Sequence, residues 1–165
     1  MEDRANNKVI ANLLSGWQWT ISHRYELLSA LSDKDLSWKP PYKATFQDFQ
    51  YQFACIASTQ KAYTSMLAKR KFNNSFFGQY SEDFRKIYTV KGLIQTLRKL
   101  DKEFVLQMRS LNDDDLFDWG DFQAPVYSVI ITLQEHERLH HGQLISYFTL
   151  REIPFPQQFK RDWHL

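Results

Sequence analysis

The stretch VYSVIITLQEHERLHHGQLISYF, residues 126–148, has apolar residues spaced by three and four positions. This spacing places them on one face of a helix of about six turns, which we expect to end near residue 150. The stripe comprises Val126, Val129, Ile130, Leu133, His136, Leu139, His140, Leu144, Tyr147 and Phe148. An amphipathic helix must bury such a stripe against another element, so matching stripes are needed elsewhere in the chain.

Three further stretches have the same helical spacing of apolar residues. They predict helices over 7–31, 45–69 and 89–111. Thr45 and Thr89 offer side-chain oxygens suited to capping the second and third of these helices. Strand-like alternation is not evident, so an all-α four-helix bundle is the simplest way to bury four stripes.

The lengths of the connections limit the directions in which successive helices can run. The segment 71–88 contains aromatic residues without steady periodicity and, at up to about 3.3 Å per residue, is long enough to span a whole helix. The second and third helices can therefore run in the same direction. The tail 153–165 contains two prolines that prevent regular continuation of the fourth helix, and its aromatic residues predict docking onto the bundle.

Composition narrows the class of protein. A chain of 165 residues predicts one domain, 1–165, and 21 Lys and Arg against 19 Asp and Glu leave no broad basic surface for nucleic acid. No apolar run approaches the roughly 20 residues that cross a membrane. The lone Cys55 cannot form an intrachain disulfide, and the start of the chain lacks a basic segment leading into an apolar one. We expect a cytoplasmic protein.

Two histidines of the fourth helix are the residues that most strongly indicate a functional site. His136 and His140 are one helical turn apart and lie on the apolar stripe, so both are expected to point inward. Buried imidazoles need hydrogen-bond partners, a metal, or both. His141 lies about 100° around the helix and is expected at the surface or in a lid over the site.

The same residues spell the HExxH pattern of zinc proteases, in which Glu137 would act as a general base. A protease of this type also needs a third ligand and usually a sheet edge that binds extended peptide. Because the sequence predicts neither, the protease interpretation is disfavoured.

Three sequence features together resemble one known superfamily. They are His136-x-x-x-His140-x-Gly142-Gln143 on the last helix, Ser37-Trp38-Lys39-Pro40 before the second helix, and a proline-containing tail with Trp163. This pattern resembles the DinB-like superfamily, which includes the bacillithiol- and mycothiol-dependent transferases. The resemblance implies a four-helix bundle of up-down-down-up order.

The resemblance also implies a divalent metal, Zn, Ni or Fe, held by one histidine of the second helix and two of the fourth. The latter two match His136 and His140, whereas counting along the second helix places Gln52 at the third position. An amide oxygen is a poorer ligand for these metals than imidazole. Gln52 therefore either completes a weakened site or satisfies one histidine within a metal-free polar cluster.

Cys55 lies three residues after Gln52, near the same helix face, so a thiolate can in principle replace the missing imidazole. A lone cysteine in an apolar stripe is more often a small core residue, which is the favoured interpretation. His23 and His164 have no partner at ligand spacing and are expected to be ordinary packing or surface residues.

Two functions fit these observations. The first is a metal-dependent thiol transferase or hydrolase, with a small-molecule substrate or a low-molecular-weight thiol as its partner. The second is a non-catalytic binding or stress-associated bundle that has lost its metal. The aromatic content and the habit of the superfamily also predict a homodimer.

Overall fold

The computed structural model describes residues 7–41 and 47–165. Within them the chain is all-α apart from one short hairpin. The helices are α1 (Lys8–Ser29), α2 (Phe49–Leu67), α3 (Ser75–Arg85), α4 (Val90–Arg109), α5 (Ser128–Arg151) and α6 (Gln157–Trp163). The strands β1 (Leu116–Asp118) and β2 (Gln123–Pro125) pair in antiparallel fashion. The four predicted long helices are α1, α2, α4 and α5.

The helix starts follow capping chemistry. Thr89 caps α4 as predicted, since its hydroxyl oxygen accepts a hydrogen bond from the backbone N–H of Gly92 at 3.1 Å. In α2 the cap is Asp48, which accepts from the N–H of Tyr51 at 2.8 Å. The cap predicted at Thr45 lies outside the described residues.

Contacts at the helix ends show that α1 and α4 are antiparallel. The backbone N–H of Val90, at the start of α4, donates to Asp33 just beyond α1 at 2.7 Å. At the other end, the N–H groups of Val9 and Ile10 donate to Asp113, just beyond α4, at 2.9 Å each. Each helix therefore begins where the other ends.

The remaining directions complete the predicted up-down-down-up order. Phe49 at the start of α2 contacts Phe148 near the end of α5, with ring centroids 5.7 Å apart, so these helices are antiparallel. Gln134 near the start of α5 donates to the backbone carbonyl of Leu13 near the start of α1 at 3.0 Å, so these two are parallel. It follows that α2 and α4 run in the same direction, and the chain between them crosses the length of the bundle.

The crossover contains a helix that the apolar pattern does not predict. No residue of α3 is fully buried. Its aromatic side chains, including Phe76, Phe77 and Tyr80, pack half-buried over one end of the core. A helix of 11 residues with a glycine at position 78 gives too short and too weak a pattern to be distinguished from a loop.

The tail docks on the bundle, as the sequence predicts. Phe159 of α6 is fully buried, and Asp162 lies 2.8 Å from Nε2 of His23 on α1. His23 is itself buried, and its Nδ1 lies 3.0 Å from the backbone carbonyl of Trp19. Within the described part of the chain, no helix is long and apolar enough to span a membrane.

A buried arginine joins all four long helices. Arg24 of α1 is fully buried, and its Nη2 donates to both carboxylate oxygens of Asp101 on α4 at 2.6 and 2.7 Å. Its Nη1 donates to Glu137 on α5 at 3.1 Å and to Gln60 on α2 at 3.3 Å. The hydroxyl of Tyr25 also donates to Asp101. We refer to Arg24, Gln60, Asp101 and Glu137 as the Arg24 network.

The Arg24 network lies between two apolar clusters. One cluster includes Trp17, Met66 and Phe104, and the other, at the opposite end of the bundle, includes Leu27 and Phe53. Burying these charges is costly unless they are paired. Arg24 is paired with both Asp101 and Glu137, although its Nε and Oε1 of Glu137 have no hydrogen-bond partner among the described residues. The bundle therefore has a polar layer between two apolar halves.

Arg24→Met is expected to lower the free energy of unfolding by about 3 to 5 kcal/mol, because it strands two buried carboxylates. Urea denaturation measures the change. The control is Arg138→Met, at an exposed position of the same bundle, which should change stability by no more than about 0.5 kcal/mol. Equal stability of the two variants would contradict a stabilising role for the Arg24 network.

Low pH is expected to reduce the stability that the Arg24 network contributes. Burial alone would raise the pKa of Glu137, but the charge of Arg24, together with nearby His141, brings it below the ordinary value of 4.5. The stability that this carboxylate contributes is complete above that ordinary value and is lost as the pH falls through the lower, folded-state value. The melting temperature should therefore fall more steeply with decreasing pH for the parent than for Glu137→Gln. Glu135→Gln, at an exposed position, should retain the parent slope.

Candidate metal centre

Helices α2 and α5 bring one cysteine and two histidines together. The Sγ of Cys55 lies 3.7 Å from the Nε2 of His136, which lies 3.3 Å from the Nε2 of His140. One ligand atom from each residue lies within 4.8 Å of the others. His140 is buried, whereas Cys55 and His136 are half-buried, so the cluster is open on one side. These residues can hold a metal ion.

The spacing tests whether a metal fits. Zinc bonds of about 2.05 Å to nitrogen and about 2.3 Å to sulfur, at tetrahedral angles, separate two nitrogens by about 3.3 Å and a nitrogen from a sulfur by about 3.6 Å. The observed separations are 3.3 and 3.7 Å. Two of the three separations therefore match a tetrahedral ion, and the third, between Cys55 and His140, is within 4.8 Å.

Helical spacing on both helices builds the centre. His136 and His140 are one turn apart on α5, and Cys55 and Thr59 are one turn apart on α2. The hydroxyl oxygen of Thr59 lies 3.4 Å from the Nε2 of His136 and adds a fourth polar atom to the cluster. Cys55 is thus a partly exposed member of the candidate centre, whereas the favoured expectation was a plain core residue.

A chain of hydrogen bonds orients His140. The carbonyl of Gln47 can only accept, and it accepts from the hydroxyl of Tyr147 at 2.7 Å. The Tyr147 oxygen accepts from Nε2 of Gln52 at 3.1 Å, which leaves Oε1 of Gln52 to accept from Nδ1 of His140 at 2.7 Å. With its proton on Nδ1, a neutral His140 presents the lone pair of Nε2 to the centre.

The oxygen of Gln52 therefore lies against the side of the His140 ring that faces away from the other two ligand atoms. Of the two interpretations that the sequence left open, hydrogen bonding to a histidine is the one that the geometry displays. Gln52 as a direct metal ligand remains a prediction.

The electrostatics of the centre favour neutral imidazoles. Burial, reinforced by the neighbouring His136, lowers the pKa of His140 to about 4, and burial also lowers the pKa of His136. Burial raises the pKa of the Cys55 thiol, although a hydrogen bond with Thr59 and the charge of Arg85 oppose that rise. At neutral pH the two imidazoles can ligate without losing a proton, whereas the thiol must release one.

Glu137 does not serve this centre. Its carboxylate faces the bundle interior, where Arg24 holds it at 3.1 Å. The geometry gives no support to the HExxH protease interpretation, because that chemistry needs the glutamate free to act as a base. The charged residues of the Arg24 network were missed at the sequence level, although each interrupts an apolar stripe.

Two expectations about α5 are wrong. His141 is buried rather than exposed, with its Nε2 3.5 Å from Oε1 of Glu137 and its ring beside Trp163 of the tail. Leu139, assigned to the inward stripe, is 62% exposed. The reason is that α2 covers one side of α5 while α1 and the tail cover the other, which moves the buried face toward Glu137 and His141.

Two solved structures share this architecture. The crystal structure of a DinB-like protein from Bacillus cereus ATCC 10987 has a TM-score of 0.70 at 18% sequence identity, covering 87% of this chain and 93% of that chain. The crystal structure of an uncharacterised protein from Escherichia coli UTI89 has a TM-score of 0.68 at 15% identity, covering 88% and 96% respectively.

The sequence matches no protein-family model and no curated protein. At these identities the structural likeness establishes a DinB-like fold, as the sequence resemblance predicts, and only the fold.

The metal affinity of single variants distinguishes residues that ligate the ion from residues that only support a ligand. His136→Ala, His140→Ala and Cys55→Ala should each abolish tight Zn²⁺ binding, because two ligands remain where three are needed. Gln52→Ala should weaken binding by about 10- to 100-fold, since it frees the His140 ring without removing a ligand. Calorimetric titration of protein purified without a metal-affinity tag is the measurement.

The matched histidine control is His164→Ala, which changes an exposed tail residue. Its affinity should equal that of the parent. Undiminished Zn²⁺ binding by Cys55→Ala would remove Cys55 from the ligand set.

Proposed function

We propose that the protein is a metal-dependent enzyme acting on a small molecule, with Cys55, His136 and His140 as the ligands. The observation that carries this proposal is the cluster of Cys55, His136 and His140, in which His136 lies 3.3 Å from His140 and 3.7 Å from the sulfur of Cys55. Three protein ligands with a free fourth position are typical of catalytic zinc sites, whereas structural sites use four.

Among Zn, Ni and Fe, the ligand types favour Zn²⁺. Thiolate and imidazole together suit a tetrahedral ion of borderline softness, and the observed spacing supports that geometry. When bound, such an ion lowers the pKa of a coordinated thiol or water and so supplies a nucleophile at neutral pH. A low-molecular-weight thiol attacking an electrophile is the reaction we propose, and hydrolysis is the alternative use of the same site.

The residues of the chain have distinct parts in this proposal. Gln52, held by Tyr147, keeps Nε2 of His140 directed at the centre. Burial of His140 keeps its imidazole neutral. The half-exposed sides of Cys55 and His136 leave an approach for the substrate.

A non-catalytic bundle is the second candidate, and one observation favours it. The polar atoms of the centre can satisfy each other without a metal, since Nε2 of His136 can donate to Nε2 of His140 at 3.3 Å while Gln52 accepts from the other side of that ring. Such a self-satisfied cluster could persist in a binding protein.

Conjugation of low-molecular-weight thiols to a panel of electrophiles distinguishes the candidates. The Zn²⁺-loaded parent should turn over, and chelation or His140→Ala should reduce the rate by at least about 100-fold, because activation of the nucleophile is lost. His164→Ala is expected to retain the parent rate. One equivalent of bound Zn²⁺ with neither conjugation nor hydrolysis would favour the non-catalytic bundle.

A further inference from the structure

A small cavity adjoins the metal centre on the side of α3. Its volume is about 40 Å³, enough for a small polar group. It is lined by Tyr51, Ala54, Cys55, Ser58, Ser81 and Arg85. Cys55 thus belongs both to this cavity and to the metal centre.

Arg85 is the one charged residue in that lining. The serine hydroxyls donate to backbone carbonyls of their own helices, Ser58 to Cys55 at 3.0 Å and Ser81 to Gly78 at 3.2 Å. The Arg85 guanidinium stacks 4.6 Å from the centre of the Tyr51 ring. Against residues 7–41 and 47–165 it forms neither a hydrogen bond nor an ion pair, so its N–H groups are available to a ligand.

These N–H groups of Arg85 are relevant to chemistry because Arg85 lies close to Cys55. Arg85 and Cys55 line the same small cavity, so an anion held by the guanidinium would lie beside the sulfur. A guanidinium presents a planar set of donors that matches a carboxylate, and stacking on an aromatic ring fixes its plane. The cavity can hold one such group.

We infer that Arg85, held on the Tyr51 ring, is an anion subsite for a carboxylate of the small molecule that reaches Cys55. The inference rests on the proposed function for the identity of the reacting centre and adds the class of substrate, a small organic acid. In the proposed thiol transfer, this acid is either the thiol or the electrophile.

Alkylation of the cysteine tests the subsite without using the metal. The chain has one cysteine, so iodoacetate and iodoacetamide both report on Cys55 alone. In each reaction the thiolate attacks the methylene carbon, a C–S bond forms and iodide leaves. The reagents differ in having a carboxylate or an amide, and their rate ratio cancels any change in thiol ionisation.

In the metal-free full-length parent, the iodoacetate to iodoacetamide rate ratio should exceed that of Arg85→Gln by about five- to tenfold, the gain expected of one ion pair near a protein surface. Arg85→Lys should retain part of the preference, since it keeps the charge and loses the planar fork. The matched control is Lys86→Gln, at an exposed neighbour that lies outside the cavity lining and should match the parent ratio.

An equal ratio in the parent and Arg85→Gln would overturn the subsite, whatever the metal titrations show. Conversely, a parent that binds no Zn²⁺ but retains an Arg85-dependent ratio would overturn the proposed metal enzyme and support the subsite. The two failures are therefore distinguishable.

Discussion

The buried charge of Arg24 is the constraint on which the rest of the structure depends. A guanidinium that is fully removed from water needs acceptors for its N–H groups, and those of Nη1 and Nη2 find them on α2, α4 and α5. Apolar packing tolerates small slips between helices, whereas a bidentate ion pair does not. The Arg24 network therefore sets the level of all four long helices, with an apolar cluster filling the bundle on each side of it.

The geometry of the candidate metal centre depends on the same ion pair. Glu137 and His136 are consecutive on α5, so their side chains point in different directions. When the carboxylate of Glu137 points toward Arg24, the ring of His136 points toward α2, where it contacts Cys55. Gln134 adds a second anchor through the carbonyl of Leu13 on α1. One face of α5 thus stabilises the bundle through Glu137, and the adjacent face carries the two histidines of the candidate centre. This division explains how an HExxH sequence occurs here without a protease site.

The residues that could hold a metal differ from those that the sequence resemblance implies. Where that pattern places a histidine, Gln52 accepts from His140, and Cys55 near the same face of α2 brings a sulfur to the cluster. A thiolate neutralises more of the charge of a metal than an imidazole does and must first release its proton. Binding of a metal by these residues would therefore require the Cys55 thiol to ionise, and the charge of Arg85 favours that ionisation.

The sequence by itself determined the four long helices, the cap at Thr89 and the placement of His136 and His140 on one helix face, because each depends on residues within a few turns of one another. It also supported a crossover and a docked tail. Only the tertiary structure decided that Cys55 meets His136 across 81 positions, that Arg24 reaches Glu137 across 113, and that His141 rather than Leu139 is buried. Helical periodicity specifies which residues share a face, but the rotation and level of each helix against its neighbours arise from packing between distant parts of the chain, and these decide which polar groups meet.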